Sequence, residues 1–397
     1  MLNTLFSPWP SFTQEEADAV QRVLLSNKVN YWTGQEGREF EKEFAAFIGT
    51  DYAIAVGNGT LALDLALKAL KIGAGSGGSE FDEVITTSRT FLATASAIVT
   101  AGANPVFADV DLNSQNITAE TIEAVLTENT KAVIVVHLAG MPAEMGAIMA
   151  LSDKHGFKVI EDCAQAHGAK YKGRSVGAIG HIGAWSFCQD KIMTTGGEGG
   201  MVTTNDTALW NFMWSYKDHG KSFDAIYNRE HSPGFRWLHE SFGTNWRLTE
   251  MQSAIGRIQL KRMPQWSAKR QAYGKAIDNA VSGLAVVRTV NVPDYIEHAE
   301  YKHYLFINPE NLAHGWTRDR IIDEISAHGV PVFQGSCSEV YNEKAFDGTH
   351  WRPEKPLPNA VTLGETSLMF LVHPTLTELE IEKTCSVIRE VLLLASC

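Results

Sequence analysis

Cysteine is scarce in this chain: five residues, at 163, 188, 337, 385 and 397, odd in number and without a CxxC pair. That supplies no zinc ligand set and fits a reducing compartment. Positive charge is short as well, with 34 Lys and Arg against 46 Asp and Glu and a formal net charge of −12. Nucleic-acid binding rests on phosphate neutralisation, so a broad nucleic-acid footprint is not expected. A nucleotide-bearing small substrate stays open, because it needs only a local basic pocket. No apolar run reaches membrane-spanning length, and MLNTLFSPWP lacks a basic stretch followed by an apolar one. No membrane association and a cytoplasmic location are therefore expected. Also missing are GxGxxG and GxxxxGK[ST], so neither a dinucleotide fold nor a P-loop is supported. There is no internal repeat and no low-complexity tract.

What is present is an ordinary globular composition, 44% hydrophobic and 20% charged over 397 residues, enough for two or three domains. Residues 1–12 read as an extended arm. Thr13-Gln14-Glu15-Glu16 is a capping box opening a helix to about Ser26. A second helix from about Gly37 carries Phe40, Phe44 and Phe47 toward a core. Tyr52 to Val56 reads as a strand, and Gly57-Asn58-Gly59-Thr60 feeds a helix-forming run. Residues 73–82 read as a flexible surface loop. Strands at Glu83–Thr87, Pro105–Val110, Ala132–His137 and Lys158–Glu161 then alternate with helices at Phe91–Ala101, near 119–126 and at Met145–His155. Such alternation predicts an α/β fold with a mostly parallel sheet, and ligands in such sheets bind beyond the carboxyl ends of the strands. Residues 216–247 are polar and aromatic without a period. An amphipathic helix follows and is expected to end before Pro264. A further helix to about Val281 leads to a second unit with strands near 285–290 and 303–308, a helix from Thr317, and a last helix opened by the capping box Thr377-Glu378-Leu379-Glu380. The expected division is 1–265 and 266–397.

The chemistry concentrates between Val159 and Gly200. Glu161-Asp162 ends one apolar strand, Gln165 follows, a short strand runs from Ile182 to Phe187, and Lys191 stands in a polar turn before a glycine loop. An acid at one strand end and a lysine past another suit pyridoxal phosphate: the lysine can form an imine with the aldehyde, and the carboxylate can keep the pyridine nitrogen protonated. Alone, the pair also fits any α/β active site. Upstream, the Gly59-Thr60 turn at a helix N-terminus is an anion-site candidate or a plain turn. Phe91, entering a helix, is a ring-stacking candidate or a core residue.

The set GNGT, TFLAT, EDCAQAHGA, SFCQDKIMTTGGEGG and TNWRLTEMQSAIG, in this order, resembles the DegT/DnrJ/EryC1/StrS family. The resemblance implies a fold-type-I pyridoxal phosphate enzyme, with a large domain built on a seven-stranded-type sheet and a smaller C-terminal α+β domain. It implies transfer of an amino group from L-glutamate, through the pyridoxal and pyridoxamine forms of the cofactor, to a keto group of a nucleotide-linked sugar. Carbon 4 is expected over carbon 3, in the synthesis of a surface glycan such as lipopolysaccharide or of another amino sugar. By the same resemblance Lys191 is the Schiff-base lysine and proton shuttle, and Asp162 pairs with the pyridinium nitrogen. Gln165 sits near the ring hydroxyl, and Phe91 stacks on the ring. Gly59, Thr60 and Ser186 hold the phosphate. Asn245 reaches the phosphate of a neighbouring subunit, which implies a homodimer with shared active sites. Arg247 faces the donor carboxylate or the sugar nucleotide, and His219 lies near the site.

Two features depart from the family pattern. The loop from 73 to 82 is long. The segment Gly329 to Cys337, with Gly335 and Ser336 as substrate-side candidates, replaces a histidine-tyrosine-proline turn common in the family. A dehydratase branch of the family carries histidine in place of the lysine, so Lys191 favours amino transfer over that alternative. The complete set Asp162, Gln165 and Lys191 disfavours a non-catalytic, cofactor-binding regulator.

Overall fold

The structure is a computed structural model describing residues 5–397; the first four residues of the expected N-terminal arm lie outside the described residues. In chain order come α1 (Gln14–Leu25), α2 (Glu36–Ile48), β1 (Tyr52–Val56), α3 (Gly59–Ala69), β2 (Glu83–Thr87), α4 (Leu92–Thr100), β3 (Asn104–Ala108), α5 (Ala119–Glu123), β4 (Thr130–Val136), α6 (Met145–His155) and β5 (Lys158–Asp162). A short hairpin, β6 (Lys170–Tyr171) and β7 (Arg174–Ser175), precedes β8 (Ile182–Ser186), β9 (Gly200–Thr204), α7 (Thr207–Tyr216) and α8 (Phe223–Tyr227). Then follow α9 (Glu250–Val281), β10 (Val287–Thr289), β11 (Ile296–Glu297), β12 (His303–Ile307), α10 (Arg318–Ala327), β13 (Val332–Phe333), α11 (Pro358–Thr366), β14 (Ser367–Phe370) and α12 (Glu378–Leu394).

Seven strands form the main sheet in the order β1-β9-β8-β5-β4-β2-β3. The run β8-β5-β4-β2-β3 is parallel, while β9 lies antiparallel to both its neighbours. Its strands read as near-continuous apolar runs because both faces are covered. Ile54, Ile134, Ile160 and Val202 pack with α3 residues such as Leu65 in one core, and Trp185 and Met201 pack with Phe40 and Phe44 of α2 in another. Each such fully buried side chain contributes roughly 1.5–3 kcal/mol of transfer free energy. A smaller antiparallel sheet, β10-β12-β14-β13, carries its own core with Ile277 of α9 and Ile388 and Leu392 of α12. This is the fold-type-I architecture.

The capping boxes opening α1 and α12 form as read from the sequence. Two expectations are corrected. α9 does not end before Pro264 but runs through it for 32 residues. A proline inside a helix removes one backbone hydrogen bond, at a cost of about 3 kcal/mol. Here Met263 and Trp266 are buried on either side of it, and α9 packs against α1, α2 and α12, so tertiary packing outweighs the local break. The 73–82 loop is not a loose surface excursion. The Asp82 carboxylate accepts from the Gly73 and Ser79 amides, both at 2.9 Å, and the Ala74 and Gly75 amides donate to the carbonyls of Gly102 and Ala101.

Candidate active site

Adjacent strands place the site. Asp162 closes β5 in register with Val136 of β4 and Ala184 of β8, so the turns after β1, β2, β4, β5 and β8 gather at one edge of the sheet. Asp162 is buried. Its Oδ2 accepts from the Thr94 hydroxyl at 3.0 Å and its Oδ1 from the Ala164 amide at 3.2 Å. Burial raises its carboxyl above the ordinary aspartate value, against the pull of those bonds and of Lys191. The sequence motif hid Thr94, although TFLAT sets Thr90 and Thr94 one helical turn apart, and their hydroxyls meet at 2.9 Å.

Beneath Asp162 lies a satisfied polar network. His137 Nδ1 accepts from the Ala143 amide at 3.1 Å, so Nε2 carries the proton and donates to Glu161 at 3.0 Å. The other Glu161 oxygen accepts from the Ile179 and Gly180 amides at 2.8 and 2.6 Å. Cys163 lies within metal-ligand reach of this pair, but burial holds its thiol well above the ordinary range. The cluster is thus a hydrogen-bonded support for the end of β5. Gln165 accepts from the Ala139 amide at 2.7 Å, which braces the turn after β4, where Ala139 has a φ of 57°.

Lys191 stands in the turn after β8. Its Nζ lies 3.7 Å from Asp190 Oδ1 and 5.3 Å from the centre of the Tyr301 ring. The Tyr301 hydroxyl donates to the other Asp190 oxygen. Tyr301, Asp190 and the nearby Lys302 were not legible as site residues, since Asp190 and Tyr301 are 111 residues apart in the chain.

The turn after β1 forms a cradle. Asn58 caps α3 by accepting from the Leu61 amide at 2.9 Å. Gly59 and Thr60 then open the helix, whose first amides have no partner within it. A Cβ added at Gly59 would sit 2.6 Å from Ser186 Cβ, so only glycine lets the start of α3 lie this close to β8. A helix N-terminus with a serine hydroxyl beside it is the chemistry that holds an anion, and these residues therefore suit a phosphate-bearing cofactor. Phe91 is 73% exposed at the N-cap of α4, so its ring is not core.

The remaining candidates divide. The Gly57 amide donates to the Trp246 carbonyl at 2.9 Å, which brings exposed Asn245 and half-buried Arg247 beside the cradle. Arg247 is ion-paired with buried Asp218, which also accepts from the Trp32 indole at 2.7 Å. His219 is exposed with a φ of 60°, and its amide donates to the Thr244 carbonyl. Gly335, with a φ of 98°, packs against Tyr304 and Arg89, and the Ser336 amide donates to the Tyr304 hydroxyl at 2.9 Å. Arg89 is two residues before Phe91, so this loop reaches the same sheet edge. A cavity of about 710 Å³ between α2 and α7 includes none of these residues.

The model of the DegT/DnrJ/EryC1/StrS aminotransferase family matches residues 10–389. An aminotransferase of Psychrobacter cryohalolentis superposes with a TM-score of 0.95 at 63% identity, covering 98% of this chain and 99% of its own. A UDP-N-acetyl-3-dehydro-alpha-D-glucosamine 3-aminotransferase of Acidithiobacillus ferrooxidans is 36% identical over 93% of this chain and 92% of its own length. A dTDP-3-amino-3,4,6-trideoxy-alpha-D-glucose transaminase of Streptomyces venezuelae is 33% identical, covering 94% and 90%. With the cradle, the buried acid and the lysine at one sheet edge, the chain belongs to the DegT/DnrJ/EryC1/StrS aminotransferase family and is an aminotransferase using pyridoxal 5'-phosphate.

Proposed function

We propose that this enzyme moves an amino group from L-glutamate to a keto carbon of a nucleotide-linked sugar, working as a cytoplasmic homodimer in amino-sugar synthesis. The observation that carries the reading is the placement of Asp162 and Lys191 at the ends of adjacent strands, beside the Gly59–Ser186 cradle. When bound, the cofactor supplies an aldehyde that carries nitrogen and a ring that accepts electrons. Gly59, Thr60 and Ser186 hold its phosphate. Asp162, oriented by Thr94, would hold a proton at the ring nitrogen. Exposed Phe91 would cover one ring face, and Gln165, which holds the Ala139 turn, would stand near the ring hydroxyl. Lys191, in the turn after β8, would hold the cofactor through its amine and, with that amine free, could carry a proton at the reacting carbon.

Exposed Phe235, Trp237 and Phe242 on the 228–242 segment support burial against a second copy. That copy would bring Asn245 toward the partner's phosphate site. His219, Arg247, Gly335 and Ser336 are assigned to the acceptor side. The unit from 1 to 265 binds cofactor, and that from 266 to 397 closes the site. The two curated relatives named above act at carbon 3 of their sugars, which sets carbon 3 beside the carbon 4 expected from the sequence.

The test is an absorbance spectrum of the protein with pyridoxal phosphate, before and after L-glutamate. A visible band that bleaches, and returns on adding a 3-keto or a 4-keto nucleotide sugar, supports the reading and assigns the carbon. A band indifferent to every amino donor overturns it.

A further inference from the structure

Three cations gather around Tyr301 beside Lys191. Lys191 and Lys302 both lie against the Tyr301 ring, their Nζ atoms 5.3 and 4.9 Å from its centre. Arg270, buried, donates to the carbonyls of Glu300 and Tyr301 at 3.2 and 3.3 Å. The nearby carboxylates are already committed. Asp190 takes the Tyr301 hydroxyl on one oxygen and lies 3.7 Å from Lys191 with the other. Glu300 accepts from His303 at 3.1 Å, and Asp162 takes Thr94 and Ala164. Among the described residues no carboxylate lies within ion-pair distance of Lys302. A half-buried ammonium beside two other cations loses solvation without gaining a partner, which is unfavourable unless an anion joins it. Burial accordingly pulls the Lys302 amine down to about 8, with Lys191 and Arg270 adding to the effect and Asp190 opposing it.

We propose that Lys302 is an anion-binding residue of the Lys191 site and takes an oxyanion of the substrate: a carboxylate of the amino donor, or an acidic group of the acceptor sugar. This rests on the reading of the site as a transaminase site. The cofactor phosphate has its own cradle at Gly59 and Ser186, at the N-terminus of α3, so the ammonium beside Tyr301 is left for substrate. The Tyr301 ring, pinned through its hydroxyl to Asp190, sets the spacing of the two amines. Lys191 faces the reacting carbon while Lys302 faces charge carried by the same molecule.

The experiment compares the wild-type holoenzyme with Lys302→Gln and Lys302→Arg. It measures glutarate, an unreactive dicarboxylate, by calorimetry, together with the KM of each substrate. Where the donor supplies the anion, Lys302→Gln weakens glutarate by about tenfold, a loss of one ion-pair contact. It also raises the KM for glutamate, and Lys302→Arg restores both. Where the acceptor supplies it, glutarate binding is unchanged and only the acceptor KM rises. Unchanged glutarate affinity and unchanged KM values in a Lys302→Gln protein with its cofactor band intact overturn the inference alone. Loss of the cofactor band in that variant overturns it too, by assigning Lys302 to the cofactor. A wild-type protein that shows no band overturns the transaminase reading and the inference together.

Discussion

The Trp9 indole donates a hydrogen bond to the Lys191 carbonyl at 2.8 Å. The same ring packs edge-on to Trp266 of α9 at 5.2 Å, stacks on His373 at 5.8 Å and lies 5.2 Å from the Arg270 guanidinium carbon. One residue of the N-terminal arm therefore ties the catalytic turn to the long helix and to the segment before α12. Trp9→Ala removes partly buried aromatic surface and the bond, a loss of about 3 kcal/mol. Trp9→Phe keeps the packing and loses about 1 kcal/mol. Denaturant melts of both variants check the ordering, and Trp9→Ala should also release cofactor faster because the Lys191 backbone is freed.

Gly59→Ala tests the cradle. Its methyl would sit 2.6 Å from Ser186 Cβ and 3.1 Å from Ser186 Cα, so strand β8 or the turn must shift. Overpacking of this kind costs about 1–3 kcal/mol, and cofactor affinity should fall about tenfold or more. Titration of the visible band against added cofactor measures it. Affinity equal to wild type would remove Gly59 from the phosphate site.

How much of this was legible in the sequence follows from how local each signal is. Asp162 and Lys191 could be found because strand-end chemistry is written in consecutive residues, and β1, β2 and α6 match their expected bounds because their apolar runs are short and bounded by turn residues. Pro264 misled because helix breaking is a local rule, whereas burial of Met263 and Trp266 is a tertiary one. The 73–82 loop looked loose because glycine and serine dominate it, yet Asp82 organises its amides. Strand β9 was not marked as a strand, since GMVTT is short and its role depends on pairing with both β1 and β8. Trp9, Tyr301 and Lys302 reach Lys191 from distant parts of the chain, and no periodicity reports such a meeting.

Asp162 gives a pH signature. Its folded-state carboxyl is raised by burial, so the folded cofactor-free protein holds that proton more tightly than the unfolded chain. Stability from this group is therefore lost as pH rises above the ordinary value of 3.8. Cofactor-free Asp162→Asn should melt higher than wild type at pH 8, with the gap closing as pH falls. With cofactor bound the order should reverse, because the ring nitrogen proton then faces the carboxylate. Thermal melts at two pH values, with and without cofactor, check both signs.

The Lys217–Glu41 pair is a buried ion pair behind Asp218. Lys217 is fully buried, its Nζ 2.6 Å from Glu41 Oε1 and 4.4 Å from the centre of the Tyr31 ring. Glu41 also accepts from the Ala55 amide and the Tyr31 hydroxyl, each at 2.9 Å. Lys217 adjoins Asp218, and through it Arg247, beside the cradle. Glu41→Gln leaves an ammonium without its counter-charge in the interior, a loss of about 3–5 kcal/mol. Pairing it with Lys217→Met removes both charges and should recover much of that loss, because the penalty comes from the unpaired ion rather than from the missing contact. A double-mutant cycle in denaturant reads the coupling directly. If the double variant were no more stable than Glu41→Gln, Glu41 would act through its bonds to Ala55 and Tyr31, and this part of the core would be held by hydrogen bonds rather than by charge.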